Sequence, residues 1–597
     1  MRVGIDAGGT FTDVVDENGR VVKVSSTPDD PARAVRQGLT SADVEHPTLL
    51  AHGTTVATNA LIQRRGGRVA LVTTRGFADV IEIARQTRPS LYDQHADRPA
   101  PLVPRELRLE VGGRLDGAGR EIEPIDREAL PDIPPDVDAV AVCLLHADLD
   151  PTHERVVAER LRARGLDVTC SHEVSPEMRE YERTVTTVAN ATLRPVCRDY
   201  LHELCRFTDE AFVMTSAGGL LPAEDAAELP AALLLSGPAG GVRAAAAVAA
   251  ACGFPDAVSF DMGGTSTDVC LVRGGVPDPA PQRHVAGFPI RLPALDVHTI
   301  GAGGGSVARV DSGGALTVGP QSAGAVPGPA CYGRGGSQPT VTDADLVLGR
   351  IDPGATFPDL GRLDHAAAAG ALTRAGVDAA GVIAVVDAAM EAAVRVVTVA
   401  RGVDPRELAL VAFGGAGPLH ACAIADALGM RAVIVPPRAG ALSAVGLLVS
   451  PHRRELVRSW PRPRDHDVAG SLTSLGAEAR ALVGAGAAVT TALDCRYAGQ
   501  GHTLTVSSVD DFHAEHERRN GFARRDAAIE IVACRAWAVR TAPIAIDELP
   551  SIPREDVEGP RVVAEADCTV WVPDGWSARA GALGAWILQR DASRSGR

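Results

Sequence analysis

The residues best placed to do chemistry lie in an octapeptide that occurs twice, DAGGTFTD over 6–13 and DMGGTSTD over 261–268. Six positions are shared, and six matches at about one in fifteen each arise by chance on the order of 10⁻⁷ per window. The pair therefore marks two copies of one unit. Its paired glycines, Gly8 with Gly9 and Gly263 with Gly264, let backbone N–H groups approach an anion closely. Thr10, Thr12, Thr265 and Thr267 add hydroxyl donors. The flanking carboxylates Asp6, Asp13, Asp261 and Asp268 repel phosphate and suit Mg²⁺, usually through water. Two such turns facing each other would clamp a magnesium-bound nucleoside triphosphate from both sides.

Each copy follows a short apolar run, Val3-Gly4-Ile5 or Val258-Ser259-Phe260, and precedes a valine, Val14 or Val269. That pattern predicts strand, tight turn, strand. Around it the chain alternates strand and helix. Residues 69–73 and 139–145 read as buried strands, 152–164 as a helix after Pro151, and 181–204 as a longer helix broken or kinked at Pro195. The Gly-rich stretches 300–307 and 322–336 are expected to line a cleft. After residue 450 a charged, Pro-rich segment leads to a helix over 472–488 and several short strands. The expected class is α/β: two duplicated lobes, 1–185 and 186–450, with a smaller α+β region over 451–597.

A formal charge of −16 and a pI near 5.5 argue against a nucleic-acid partner, whose phosphates need a basic face. None of the 11 cysteines forms a CxxC pair, so neither a zinc knuckle nor a disulfide framework is suggested. The apolar stretch 231–253 is interrupted by Gly237-Pro238, Gly240-Gly241 and Arg243, which disqualifies it as a membrane span. The N-terminus runs straight into the first octapeptide with no signal peptide, so a cytoplasmic protein is expected.

A third element completes the pattern. The strand predicted over 408–413 feeds Gly414-Gly415-Ala416-Gly417-Pro418 and then a helix, a turn against which a flat base and ribose could pack. Together the three elements resemble the phosphate-1, phosphate-2 and adenosine motifs of the actin–Hsp70–sugar-kinase superfold. The match narrows with further blocks: HGTTVATNALIQRRG (52–66), RPSLYD (88–93), EYERT (180–184), SGPAGG (236–241), PGPACYGRGG (327–336), TVTDADLVLGR (340–350), FGGAGPLHA (413–421) and PPRAGALSAVG (436–446). In this order they resemble the ATP-binding subunit of the hydantoinase A/5-oxoprolinase family, with acetone carboxylase as a sister branch. Asp345, where the family pattern leads one to expect Asn, and the loose VGGR at 111–114 depart from it.

The resemblance implies ATP-dependent opening of a hydantoin or 5-oxoproline type of cyclic amide, in a hetero-oligomer with a B-type subunit. It also implies Asp6 and Asp261 as Mg²⁺ ligands, with Asp13 and Asp268 fixing the turns or assisting. The glycines with Thr10 and Thr265 would hold β- and γ-phosphates, and Gly414, Gly415 and Ala416 would face adenosine. His52 and Asp343 are candidate substrate contacts, set against a hydrogen-bonded structural histidine and a helix-starting aspartate. His420 reads as a packing residue, and Cys331 has no partnered base that would make it a nucleophile. The SGPAGG segment reads equally as an anion site or as a close helix contact through small residues. A regulatory ATPase, or activation of a ketone for carboxylation, is the alternative reading.

Overall fold

A computed structural model describes residues 1–9, 11–27, 29–357, 360–460 and 467–591. The two octapeptides are hairpins lying toward one edge of two sheets, and the five strands around each share one topology. In the first sheet, strand Arg2–Ala7 pairs antiparallel with Phe11–Asp16, which pairs with Val21–Ser25. On its other side it runs parallel to Leu49–Thr54, and that strand runs parallel to Glu210–Met214. In the second sheet, Ala257–Met262 pairs antiparallel with Thr267–Arg273, and Val276–Pro277 follows. Its parallel neighbours are Ala409–Phe413 and then Ala432–Val435. Register repeats as well as order: Asp6 lies opposite Asp13, and Asp261 opposite Asp268.

The apolar residues before each turn explain why the outgoing strand of each hairpin is flanked by strands on both sides. Val3, Ile5, Val258 and Phe260 are fully buried, so each hairpin is anchored in a core while its turn projects from the sheet. Between the lobes, helices Gly237–Ala251 and Leu442–Leu448 cross almost backbone to backbone. A methyl on Gly446 would lie 1.9 Å from the Gly240 carbonyl, and one on Gly240 would lie 2.7 Å from that of Ser443. SGPAGG is thus used for close helix packing.

A separate four-stranded parallel layer, containing Val69–Thr74 and Ala139–Cys143, backs onto the long helix Glu180–Leu204. The helix continues through Pro195 without a break. Gly67 donates to the Thr192 carbonyl (2.8 Å), supplying an outside partner in the turn that the proline opens.

The texture change after residue 450 does not coincide with a sheet boundary. Strand His452–Ser459 joins the first sheet through Leu220 and His452, and carries Ile529–Arg540, Ala488–Tyr497 and Leu504–Val506 outward. Helix Val468–Val483 packs on this extension around a core of its own that includes Leu475, Tyr497 and Phe512. The last strands, Trp576–Ala580 and Trp586–Arg590, cross to the second sheet, where Trp586 pairs with Val435. The helix expected over 472–488 ends at Val483, because Gly484 and Gly486 lead into the Ala488–Tyr497 strand. No described helix is long and apolar enough to cross a membrane.

Candidate functional site

Each hairpin closes on itself: the Gly8 N–H donates to Phe11 O (3.0 Å) and the Gly263 N–H to Ser266 O (3.1 Å). Gly9 and Gly264 are left at the exposed tips, with no neighbour within 4 Å of where a side chain would start. Thr265 is exposed beside Gly264, whereas Thr10 lies outside the described residues. Thr12 and Thr267 are not presented to a ligand. Both are fully buried, Thr12 bonded to Ser26 (3.1 Å) and Thr267 donating to Ala302 O (2.6 Å). Alternation explains this: the second Thr of each octapeptide is the first inward-facing residue of the returning strand. Both brace their turns from behind.

The carboxylates gather as the repeat requires. Asp6 and Asp261, at the ends of the outgoing strands, are partly exposed. Burial, followed by the charge of Asp13, raises Asp6 to about 7, against an opposing pull from Lys23. Burial raises Asp261 well above the usual carboxylate range, and the charges of Asp268, Asp6 and Asp13 add to it. Acids of one hairpin therefore feel those of the other across the cleft. Asp13 is also raised by burial but is held by an ion pair with Lys23. Burial lifts Asp268 to about 6, while its hydrogen bond from Thr299 works the other way.

This is a hard, all-oxygen donor set, the kind that suits Mg²⁺. Among the described residues, no three of these carboxylates approach one another within 4.8 Å. They could supply one or two ligands to an ion completed by water and phosphate, as Mg²⁺ prefers, but no protein cage. The one such trio among the described residues, Glu154, Cys170 and His172, lies elsewhere. Glu154 there already accepts from Leu144 N, Ser171 Oγ, and both His172 N and Nδ1.

Glycines on the neighbouring parallel strands make room for the two outgoing aspartates. A methyl on Gly53 would lie 2.6 Å from Asp6 Oδ1, and one on Gly414 would lie 2.4 Å from Asp261 Oδ1. Gly414 also has φ +78°, which a side chain would resist. Its N–H donates to Ala439 O, and Ala416 N to Met262 O, so the turn is tied to the second hairpin. Gly415 is exposed with nothing within 4 Å, a bare backbone surface beside the cleft. The Gly-rich loop from 301 packs against the same hairpin: Gly304 N and Gly305 N donate to Gly263 O (3.0 Å) and Gly264 O (2.7 Å). Its composition signalled a cleft lining, but its exact partners could not be read from sequence.

His52 and Asp343 do not reach the cleft surface. His52 is fully buried on its strand, with Nδ1 at Ile5 O (3.0 Å) and Nε2 at the Tyr200 hydroxyl (2.5 Å); burial lowers it to about 4. Asp343 is fully buried in the first turn of helix Val341–Val347, accepting from the N–H groups of Ala330, Cys331 and Thr340 and from the Thr340 hydroxyl. It is a capping box that also ties down the 327–336 loop. Cys331 is buried there, and burial raises its thiol. Asp345, the family departure, faces His420 Nε2 at 3.3 Å, while Asp387 holds Nδ1 at 2.7 Å.

Two sheets that share a five-strand topology, each carrying an acid-flanked glycine turn, define a two-lobed α/β protein. The chain belongs to the hydantoinase/oxoprolinase family. The family's N-terminal region matches residues 2–165, and its hydantoinase/oxoprolinase region matches 183–456. Caprolactamase subunit alpha of Pseudomonas jessenii is 33% identical, over 96% of this chain and 97% of its own length. The crystal structure of the ATP-dependent caprolactamase from that organism superposes with a TM-score of 0.84 at 31% identity, covering 99% of this chain and 100% of that one. 5-Oxoprolinase 1 of Arabidopsis thaliana is 34% identical over 75% of this chain, which spans 41% of that longer protein.

Proposed function

We propose that the chain binds Mg–ATP between the two hairpins and transfers the γ-phosphoryl group to the carbonyl oxygen of a cyclic amide, with a B-type subunit completing the ring opening. The observation that carries this reading is the pair of acid-flanked glycine turns on matching registers, whose carboxylates interact across one cleft. The caprolactamase and 5-oxoprolinase relatives supply the substrate class, and the relative named as a subunit supports a multi-subunit assembly.

A lactam carbonyl is a poor electrophile. Phosphorylating its oxygen forms a P–O bond as the bond to ADP breaks, and the resulting imidate carbon is open to attack by water. Such transfer depends on positioning and charge compensation more than on covalent work by the protein. Gly9 and Gly264, with Thr10 and Thr265, would hold the β- and γ-phosphates. Asp6 and Asp261 would hold Mg²⁺, which when bound neutralises charge on the phosphates. Asp13 and Asp268, fixed by Lys23 and Thr299, keep the turns and the acid cluster in place. Gly414, Gly415 and Ala416 would form the wall for adenosine.

The test is Mg²⁺-dependent phosphate release by the purified chain with caprolactam, 5-oxoproline, hydantoins and simple ketones, with and without a B-type partner. Release stimulated by a cyclic amide and reduced at least about 100-fold in both Asp6→Asn and Asp261→Asn is expected. Stimulation by ketones alone would replace the reading with a carboxylase one. Undiminished turnover in both variants would overturn the site.

A further inference from the structure

A cavity of about 820 Å³ opens well away from the hairpins, where strand His452–Ser459 parts from Leu220–Pro222. The two strands pair only at Leu220 and His452. Three strands separate this edge from the one carrying Asp6, about 19 Å at ordinary strand spacing. The cavity is a second compartment rather than an arm of the cleft.

Its charges do not balance. Every acid in the lining is already paired: Asp148 with Arg183, Glu173 with Arg162, Glu177 with Arg291, Glu455 with Arg453 and Glu478 with Arg458. The Arg454 side chain has no ion pair or hydrogen bond among the described residues, and its Nη1 is inaccessible to solvent. Asp225, beyond ion-pairing distance, is the acid whose charge acts on it. Arg155, exposed at the rim, has no acidic partner among the described residues either. A largely buried guanidinium without a counter-charge is costly, and its planar fork suits an oxyanion held by two parallel bonds. Leu221, Leu229 and Leu456 add apolar wall beside it.

We infer that this cavity binds a small organic anion, with a carboxylate or phosphate head on Arg454 and an aliphatic body against the leucines. The volume suits a molecule of metabolite size. Arg155 at the mouth attracts the anion, and Arg454 fixes its head.

Trp460 lines the same cavity and reports on it. The full chain is titrated with hexanoate, hexyl phosphate and inorganic phosphate while tryptophan emission and the melting midpoint are followed, with Trp460→Phe assigning the optical signal. Hexanoate or hexyl phosphate should change the emission and raise the midpoint, and whichever binds more tightly identifies the head group. Arg454→Gln should weaken binding at least about tenfold, with Arg454→Lys recovering part of it. If Arg454→Gln does not fold, Leu229→Trp, which fills the cavity, should abolish binding instead. No binding of any probe at millimolar concentration would overturn the proposal. So would unchanged affinity in folded Arg454→Gln, or in Leu229→Trp.

Discussion

The two hairpins share an octapeptide and a register but differ in how their acids are compensated. In the first, Lys23 reaches across from the next strand to pair with Asp13. In the second, Asp268 has only the Thr299 hydroxyl among the described residues, and burial raises Asp261 well above the usual carboxylate range. The second is also more enclosed, by the loop from 301 and by the Gly414 turn. The two copies therefore share the hairpin register while the lobes differ in electrostatics. The acids of the second hairpin carry less compensation from the protein than those of the first.

The largest effect should come from the glycines that seat the two outgoing aspartates. Gly414→Ala brings a methyl within 2.4 Å of Asp261 Oδ1 at a backbone angle that a side chain resists. Mg–ATP affinity should fall about 100-fold or more, read by calorimetry. Gly53→Ala makes the equivalent intrusion, 2.6 Å from Asp6 Oδ1, without a positive φ, and should cost about tenfold. Equal losses would mean that backbone strain at 414 is irrelevant. No loss in either would mean that the aspartates do not touch the ligand.

These glycines also show what was legible beforehand. The hairpins could be read because a strand–turn–strand and its acids are contiguous in sequence. Gly53 could not, because its role depends on parallel pairing with Asp6. His52, next to it in a glycine- and threonine-rich segment, suggested a cleft residue, but strand alternation points it into the core toward Tyr200. Asp343 was legible as a cap through Thr340 three residues earlier. The sharing of the last 150 or so residues between both sheets was hidden, since it rests on pairs such as Leu220 with His452 and Val435 with Trp586.

A middle-sized effect follows from Lys23. Asp6, raised to about 7 against the opposing pull of Lys23, must ionise to hold a cation. Mg–ATP affinity should therefore rise as pH increases through about 6 to 7. In the free protein, the cost of ionised Asp6 is relieved as pH falls through about 7, because its folded value lies above its unfolded one. Lys23→Met removes the one counter-charge among the described residues that acts on Asp6 and should move the affinity midpoint upward by about one pH unit. Thr299→Val, which removes a neutral donor from Asp268, should move it by about half as much. A larger shift from Thr299→Val would reverse the ranking of the two hairpins.

The smallest effect on activity, and the sharpest on stability, contrasts the buried histidines of the lobes. His420 lies between Asp345 and Asp387, whose charges raise it to about 9 against the effect of burial. His52 has no acid partner among the described residues, and burial lowers it to about 4. A raised histidine stabilises fully below its unfolded value near 6.5 and loses that contribution as pH rises through about 9. A lowered one contributes above about 6.5 and loses that contribution as pH falls toward about 4. Urea unfolding across pH should therefore show His420→Gln losing about 2 kcal/mol below pH 6.5, with its slope between 6.5 and 9 flattened. His52→Gln should instead flatten the acid limb. Both should leave turnover at neutral pH within about twofold, since neither ring reaches the cleft. Loss of turnover in His420→Gln without a stability change would mean that the Asp345–His420–Asp387 cluster acts on the cleft through helix Gly417–Leu428, which carries His420 and begins at the Gly414–Ala416 turn.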